Sequence, residues 1–81
     1  MYTIYGKQDC PYCKMAVDLV KDESPCTFID IEEDFWSRNF IKNTFGAKTV
    51  PQIFDGETHV GGYEDMIRYV ARKTFDEGNL F

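Results

Sequence analysis

With 81 residues, 43% of them hydrophobic and 16% aromatic, the chain has apolar material for one compact core and no room for a second domain. Nine basic against fourteen acidic residues leave a formal charge of −5, which repels a phosphate backbone and an anionic membrane surface alike, so no nucleic acid and no membrane is expected as a partner. Three cysteines are too few for a disulfide-stapled secreted fold, and with only short apolar runs and no basic-apolar leader the expectation is a monomer in the reducing cytoplasm.

In chain order, Met1 to Tyr5 (MYTIY) alternates in residues that favour strands, and Gly6 punctuates it. From Pro11, Tyr12, Ala16, Leu19 and Val20 recur at helical spacing until Ser24-Pro25 ends the pattern. Cys26 to Ile31 (CTFIDI) alternates again, and strand, helix, strand implies parallel pairing through a right-handed crossover. Glu32-Glu33-Asp34 places acids at the start of a helix from about Phe35 to Phe45, with Trp36, Phe40, Ile41 and Phe45 as its apolar members and Gly46 as its stop.

Pro51 to Phe54 and Thr58 to Val60 read as two antiparallel strands around the Asp55-Gly56 turn signal. Gly61-Gly62 then breaks the chain before a last helix, with Tyr63, Met66, Ile67, Val70 and Ala71 on one stripe and Glu64 and Asp65 in its first turn; Asp76 to Asn79 is expected to fray. The order βαβαββα predicts one α/β domain over residues 1–81, a small mixed four-stranded sheet with helices on both faces.

The chemistry concentrates at Cys10-Pro11-Tyr12-Cys13. A C-x-x-C between a strand and a helix is a thioredoxin-like redox arrangement. With Pro11 at the first helical position, Cys10 sits at the positive end of the helix, where backbone N–H groups of Tyr12 and Cys13 and the ammonium of Lys7 favour negative charge on its sulfur. Cys13, a turn further in, suits a resolving role. Zinc held by Cys10, Cys13, Cys26 and His59 would lack the close second pair usual in small zinc modules, and a permanent Cys10–Cys13 staple would close too short a loop to constrain the unfolded chain. No metal is expected. Cys26 in a strand reads as a small apolar filler, and His59 as an ordinary residue near a turn.

Three separated segments, KQDCPYC at Lys7 to Cys13, TVPQIF at Thr49 to Phe54 and GGYED at Gly61 to Asp65, resemble in order and spacing the glutaredoxin family, with which the dithiol Cys-Pro-Tyr-Cys is associated. The resemblance implies a thioredoxin-like fold and an oxidoreductase that reduces protein disulfides and protein–glutathione mixed disulfides at the expense of glutathione. Carried over position by position, it makes Cys10 the nucleophile, Cys13 the resolving thiol and Lys7 a glutathione-binding cation. Thr49, Val50 and Pro51 match the segment whose cis-proline turn leaves the Val50 backbone free to pair with glutathione's cysteine. Gly62, Tyr63, Glu64 and Asp65 match the segment that takes its γ-glutamyl end, with Asp65 facing the amino group, and Tyr12 flanks the sulfur.

Arg38, Lys42 and Lys48 are equal candidates for glutathione's glycine carboxylate. Ribonucleotide reductase is a family expectation among protein substrates. Two other readings compete: a redoxin reduced by a thioredoxin-type reductase, which needs no anion pocket, and an iron–sulfur cluster-binding module, against which Pro11 and the second thiol argue.

Overall fold

A computed structural model describes residues 1–21 and 24–78, the last five of them by backbone alone. The elements are β1 (Tyr2–Gly6), α1 (Pro11–Val20), β2 (Cys26–Asp30), α2 (Phe35–Phe45), β3 (Gln52–Asp55), β4 (Thr58–Gly61) and α3 (Tyr63–Gly78). The strands lie in the order β2-β1-β3-β4, with β1 parallel to β2 and antiparallel to β3, and β3 antiparallel to β4. This is the expected βαβαββα order and mixed sheet. β3 opens at Gln52 rather than Pro51, since proline has no N–H to give the ladder. β4 runs on to Gly61, which pairs with Ile53, and β2 ends at Asp30, although the Ile31 N–H still bonds to the Gly6 carbonyl at 2.9 Å.

Alternation along the central strand sorts the core into two halves. Tyr2 and Ile4 point to one face, where they meet Ala16 and Val20 of α1, Ile53 of β3 and Met66 of α3. Tyr5 points to the other, among the residues packed on Ile31, Ile41 of α2 and Phe54. Helices therefore cover both faces, α1 and α3 together and α2 alone. Ile4, Ile53 and Met66 are completely buried, and each such side chain stabilises the fold by about 1.5–3 kcal/mol relative to leaving it in water.

The α2 boundaries match the expected ones for local reasons. Asp34 is the N-cap, its carboxylate accepting from the Ser37 N–H at 3.2 Å and the Ser37 hydroxyl at 2.9 Å, which holds that carboxyl below the usual range. Gly46 ends the helix at φ 64°, a left-handed conformation that glycine adopts without steric cost.

Which residues α2 buries differs from the expectation. Ile41 is its one buried member, while Phe35 and Trp36 are 64% and 81% exposed. Trp36 precedes Ile41 by five residues and so lies about 140° round the helix from it. Phe40 and Phe45 are partly exposed and pack edgewise on each other, on Tyr5 and on Phe54.

Similar adjustments apply elsewhere. Cys13 rather than the exposed Tyr12 continues the buried stripe of α1 with Ala16 and Val20. On α3, Ile67 and Ala71 face outward, and Tyr69 packs inward instead, edge-on to Tyr2, with its hydroxyl donating to Asp55 at 2.6 Å. The helix extends through Asp76 to Gly78, with no proline or glycine to interrupt it before residue 78, and Asn79 lies outside the described residues. Among the described residues no helix is long and apolar enough to cross a membrane.

Candidate active site

The site forms where the C-terminal end of β1, the first turns of α1 and α3, and the segment before β3 converge. After Gly6 the chain turns through residues 7–9 and enters α1 with Cys10 as N-cap, in extended geometry (φ −98°, ψ 111°), and Pro11 as the first helical residue. That geometry turns the Cys13 N–H onto the Cys10 sulfur at 3.3 Å, one of the two backbone contacts anticipated from the sequence. Cys10 is half-buried and Cys13 wholly buried. One thiol is within reach of a substrate and the other is not.

The second thiol sits in a space left by a glycine. A Cβ on Gly6 would lie 2.6 Å from the Cys13 sulfur and 3.0 Å from Cε2 of Phe28. From the sequence alone Gly6 reads only as punctuation at a strand end. Its role needs β1 and α1 side by side to be visible, because a missing side chain carries no signal about what fills its place.

The Cys13 thiol is pushed up to about 12, first by burial and next by its hydrogen bond with Cys10, against a smaller opposing pull from the Lys7 backbone N–H. In the unfolded chain it ionises near 9.0. The unfolded chain therefore ionises this thiol first, and the fold loses stability as pH rises from 9.0 towards about 12. Alkylation of the reduced protein at neutral pH should label Cys10 first and leave Cys13 slow until the chain is unfolded. Equal labelling of the native protein, read by peptide mass, would contradict the burial argument.

The Val50–Pro51 peptide bond is cis, as the resemblance implied. It carries the Val50 carbonyl to 4.0 Å from the Cys10 sulfur. This turn is braced from behind by a buried amide: Gln52 donates through Nε2 to the Thr49 carbonyl at 2.9 Å, and its Oε1 meets His59 Nε2 at 2.8 Å. His59 in turn stacks on Phe54, 4.8 Å between ring centres. Neither Gln52 nor His59 stood out as functional in the sequence, because their contact depends on β3 pairing with β4.

The α3 end approaches from the other side. Gly61 takes φ 118°, where a Cβ would collide with the Asp65 carboxylate, and Gly62 lies against the Pro51 carbonyl. The Gly62 N–H donates to Asp65 Oδ2 at 3.1 Å, half of a capping box, and Asp65 Oδ1 lies 3.7 Å from Arg68. The first intrahelical bond runs from Met66 N–H to the Gly62 carbonyl, so the N–H groups of Glu64 and Asp65 open the helix without an intrahelical acceptor. Tyr63 brings its ring 5.8 Å from that of Tyr12, joining the two helix starts beside the cysteines.

On the opposite side of the Val50 turn runs a cleft of about 960 Å³. Lys7, Arg38, Lys42 and Lys48 line it together with Thr49 and Val50. The three cations that the sequence could not rank thus share one cleft, gathered by the first turn of α2 (Arg38), its last turn (Lys42) and the segment after Gly46 (Lys48). The residues of the zinc reading are not gathered. Cys26 pairs with Tyr2, four residues along β1 from Gly6, about 13 Å away at strand rise. Burial raises its thiol, and it packs against the first half of the core. Among the described residues no three His, Cys, Asp or Glu side chains form a group able to hold a metal ion.

The family model for Glutaredoxin matches residues 2–60. Glutaredoxin-1 of Ectromelia virus is 38% identical over 73 residues, covering 80% of this chain and 67% of that protein. Glutaredoxin 1 of Escherichia coli is 33% identical over 75 residues, 83% of this chain and 88% of that one. Among solved structures, reduced E. coli glutaredoxin superposes with a TM-score of 0.75 at 31% identity, covering 93% of this chain and 96% of its own. Glutaredoxin from Brucella melitensis gives 0.72 at 30% identity, with 99% and 92% covered.

Proposed function

The chain belongs to the glutaredoxin family of thiol–disulfide oxidoreductases, and on that premise we propose that it reduces protein disulfides and protein–glutathione mixed disulfides through Cys10 and Cys13, with glutathione as electron donor. The observation that carries the proposal is the placing of Cys10. Its sulfur lies beside the Val50 carbonyl, with a cationic cleft on one side and an open helix start on the other. An extended tripeptide with a carboxylate at each end and a thiol in the middle fits that sequence of groups. Its glycine carboxylate would face Lys7, Arg38, Lys42 and Lys48, its backbone Thr49 and Val50, and its γ-glutamyl carboxylate the N–H groups of Glu64 and Asp65.

The exchange is stepwise. The Cys10 thiolate attacks one sulfur of a substrate disulfide, forming a mixed disulfide and releasing the other sulfur as a thiolate, which takes up a proton. Cys13 then gives up its own proton and attacks Cys10 Sγ, releasing the second substrate thiol and leaving Cys10 bonded to Cys13. One glutathione thiolate attacks Cys10 and frees Cys13. A second takes the glutathionyl group from Cys10, and glutathione disulfide departs with the two electrons' worth of oxidation. For a glutathionylated protein Cys10 suffices, since it accepts the glutathionyl group, the protein thiol leaves, and another glutathione completes the cycle. Cys13 keeps its proton until Cys10 is engaged, because loss of the Cys10 thiol removes one of the groups that hold it protonated.

A monomer in the cytoplasm, acting on substrates such as the disulfide form of ribonucleotide reductase, belongs to the same proposal. The test is a coupled assay with glutathione or a thioredoxin-type reductase as the electron source. Glutathione should sustain turnover and the reductase should not; the reverse would overturn the reading. Within this assay Asp65→Ala should raise the KM for glutathione about tenfold, the loss of one charge-assisted contact, and cost about 1 kcal/mol of stability through the lost cap. An unchanged KM would remove Asp65 from the site.

A further inference from the structure

The cleft holds more positive charge than glutathione can use. Four cations line it against a single carboxylate, that of Glu32. Among the described residues none of the four lies within salt-bridge distance of an acid; of the five other cations, Lys21, Arg68 and Lys73 are paired with Asp18, Asp65 and Asp55, and Lys14 and Arg72 are not. This concentration stands on a chain with net charge −5. Glutathione would bring only its glycine carboxylate to this side of Cys10, and one or two cations satisfy a carboxylate.

We propose that the surplus cations select protein substrates with Asp or Glu on the C-terminal side of the reacting cysteine. The proposal rests on the direction in which the glutathione reading fills the cleft, with the segment that follows the cysteine running past Val50 towards Lys42 and Lys48. A cysteine of a longer chain has no carboxylate where glutathione's glycine ends, so acidic side chains in the next few residues supply it and then engage the remaining cations. Exposed ion pairs add little affinity each. The larger effect lies in encounter: on a chain of net negative charge a basic recess beside Cys10 draws an acidic peptide towards the reacting sulfur, which raises the productive association rate and makes it sensitive to salt.

The experiment uses reduced protein freed of reductant, so that one round of exchange is read without glutathione. Its substrates are two peptides of one sequence, each with a single internal disulfide followed by three Glu or by three Gln. At low ionic strength the acidic peptide should oxidise the protein about tenfold faster, and the ratio should fall to within about twofold in 0.5 M salt. Moving the three Glu to the N-terminal side of the cysteines should remove the advantage. In the Lys42→Glu, Lys48→Glu double variant, altered at two exposed side chains and checked by circular dichroism for folding, the ratio should reach one or invert.

Equal rates for the two peptides with the wild type, or a preference that survives the double variant, would overturn the proposal. Reduction of the oxidised protein by glutathione is measured separately. A protein that prefers the acidic peptide but is not reduced by glutathione keeps the selectivity and loses the electron donor.

Discussion

Cys10→Ser should abolish exchange with every disulfide substrate, a loss of about three orders of magnitude or more, because a serine hydroxyl cannot ionise near neutral pH and no other described thiol is exposed at the mouth of the site. Cys13→Ser should behave differently. Removal of glutathione from a small mixed disulfide needs only Cys10, whereas release of a protein bound to Cys10 uses an attacking sulfur held one helical turn away. An internal nucleophile works at an effective concentration far above that of any dissolved thiol. The expected pattern is near-normal deglutathionylation and a strongly reduced rate with protein disulfides, measured side by side. Equal loss of both activities in Cys13→Ser would refute the division of labour.

The second large effect is expected at Gly6. In Gly6→Ala the added methyl meets the Cys13 sulfur at 2.6 Å and the Phe28 ring at 3.0 Å, where Gly6 and Cys13 are buried and Phe28 is half-buried between β1, β2 and α1. Overpacking of this kind costs about 1–3 kcal/mol, which for a domain of this size lowers Tm by about 5–20 °C. The displaced sulfur should also slow protein-disulfide reduction while leaving deglutathionylation near normal. Because the shortest contact is with the Cys13 sulfur, the two sites should couple. Gly6→Ala with Cys13→Ala should be more stable than Gly6→Ala alone. Simple addition of the two costs would show that the glycine is needed for the strand and not for the thiol.

The elements were legible in the sequence wherever a local rule decides them. Pro11 and Cys10 define a helix start, Gly46 a left-handed stop, Asp55-Gly56 a hairpin, and alternation along MYTIY the central strand. The dithiol and the Val50–Pro51 turn were legible as motifs. What was not legible depends on the third dimension. Apolar content could not show that Trp36 points to solvent, because the stripe that faces the sheet is chosen by Ile41. Tyr69 was missed because its burial is fixed by Tyr2 and Asp55, both on the sheet. Gly6 acts through a partner on another element, and Gln52 and His59 meet only once β3 and β4 are paired. The cations of the cleft could be named but not joined until α2 and the segment after it were placed over Val50.

Asp65 carries a consequence of its own. The carboxylate proposed to meet a ligand's ammonium is the one that receives the Gly62 N–H and caps α3. A ligand that engages Oδ2 must share it with the peptide group already there or displace that group. Any affinity measured at this end of the groove is therefore a net quantity, the new contact less whatever the helix gives up. A bound molecule would report its arrival in the solvent exchange of the Gly62 amide, and the strength of the cap sets how much of the attraction reaches the binding constant.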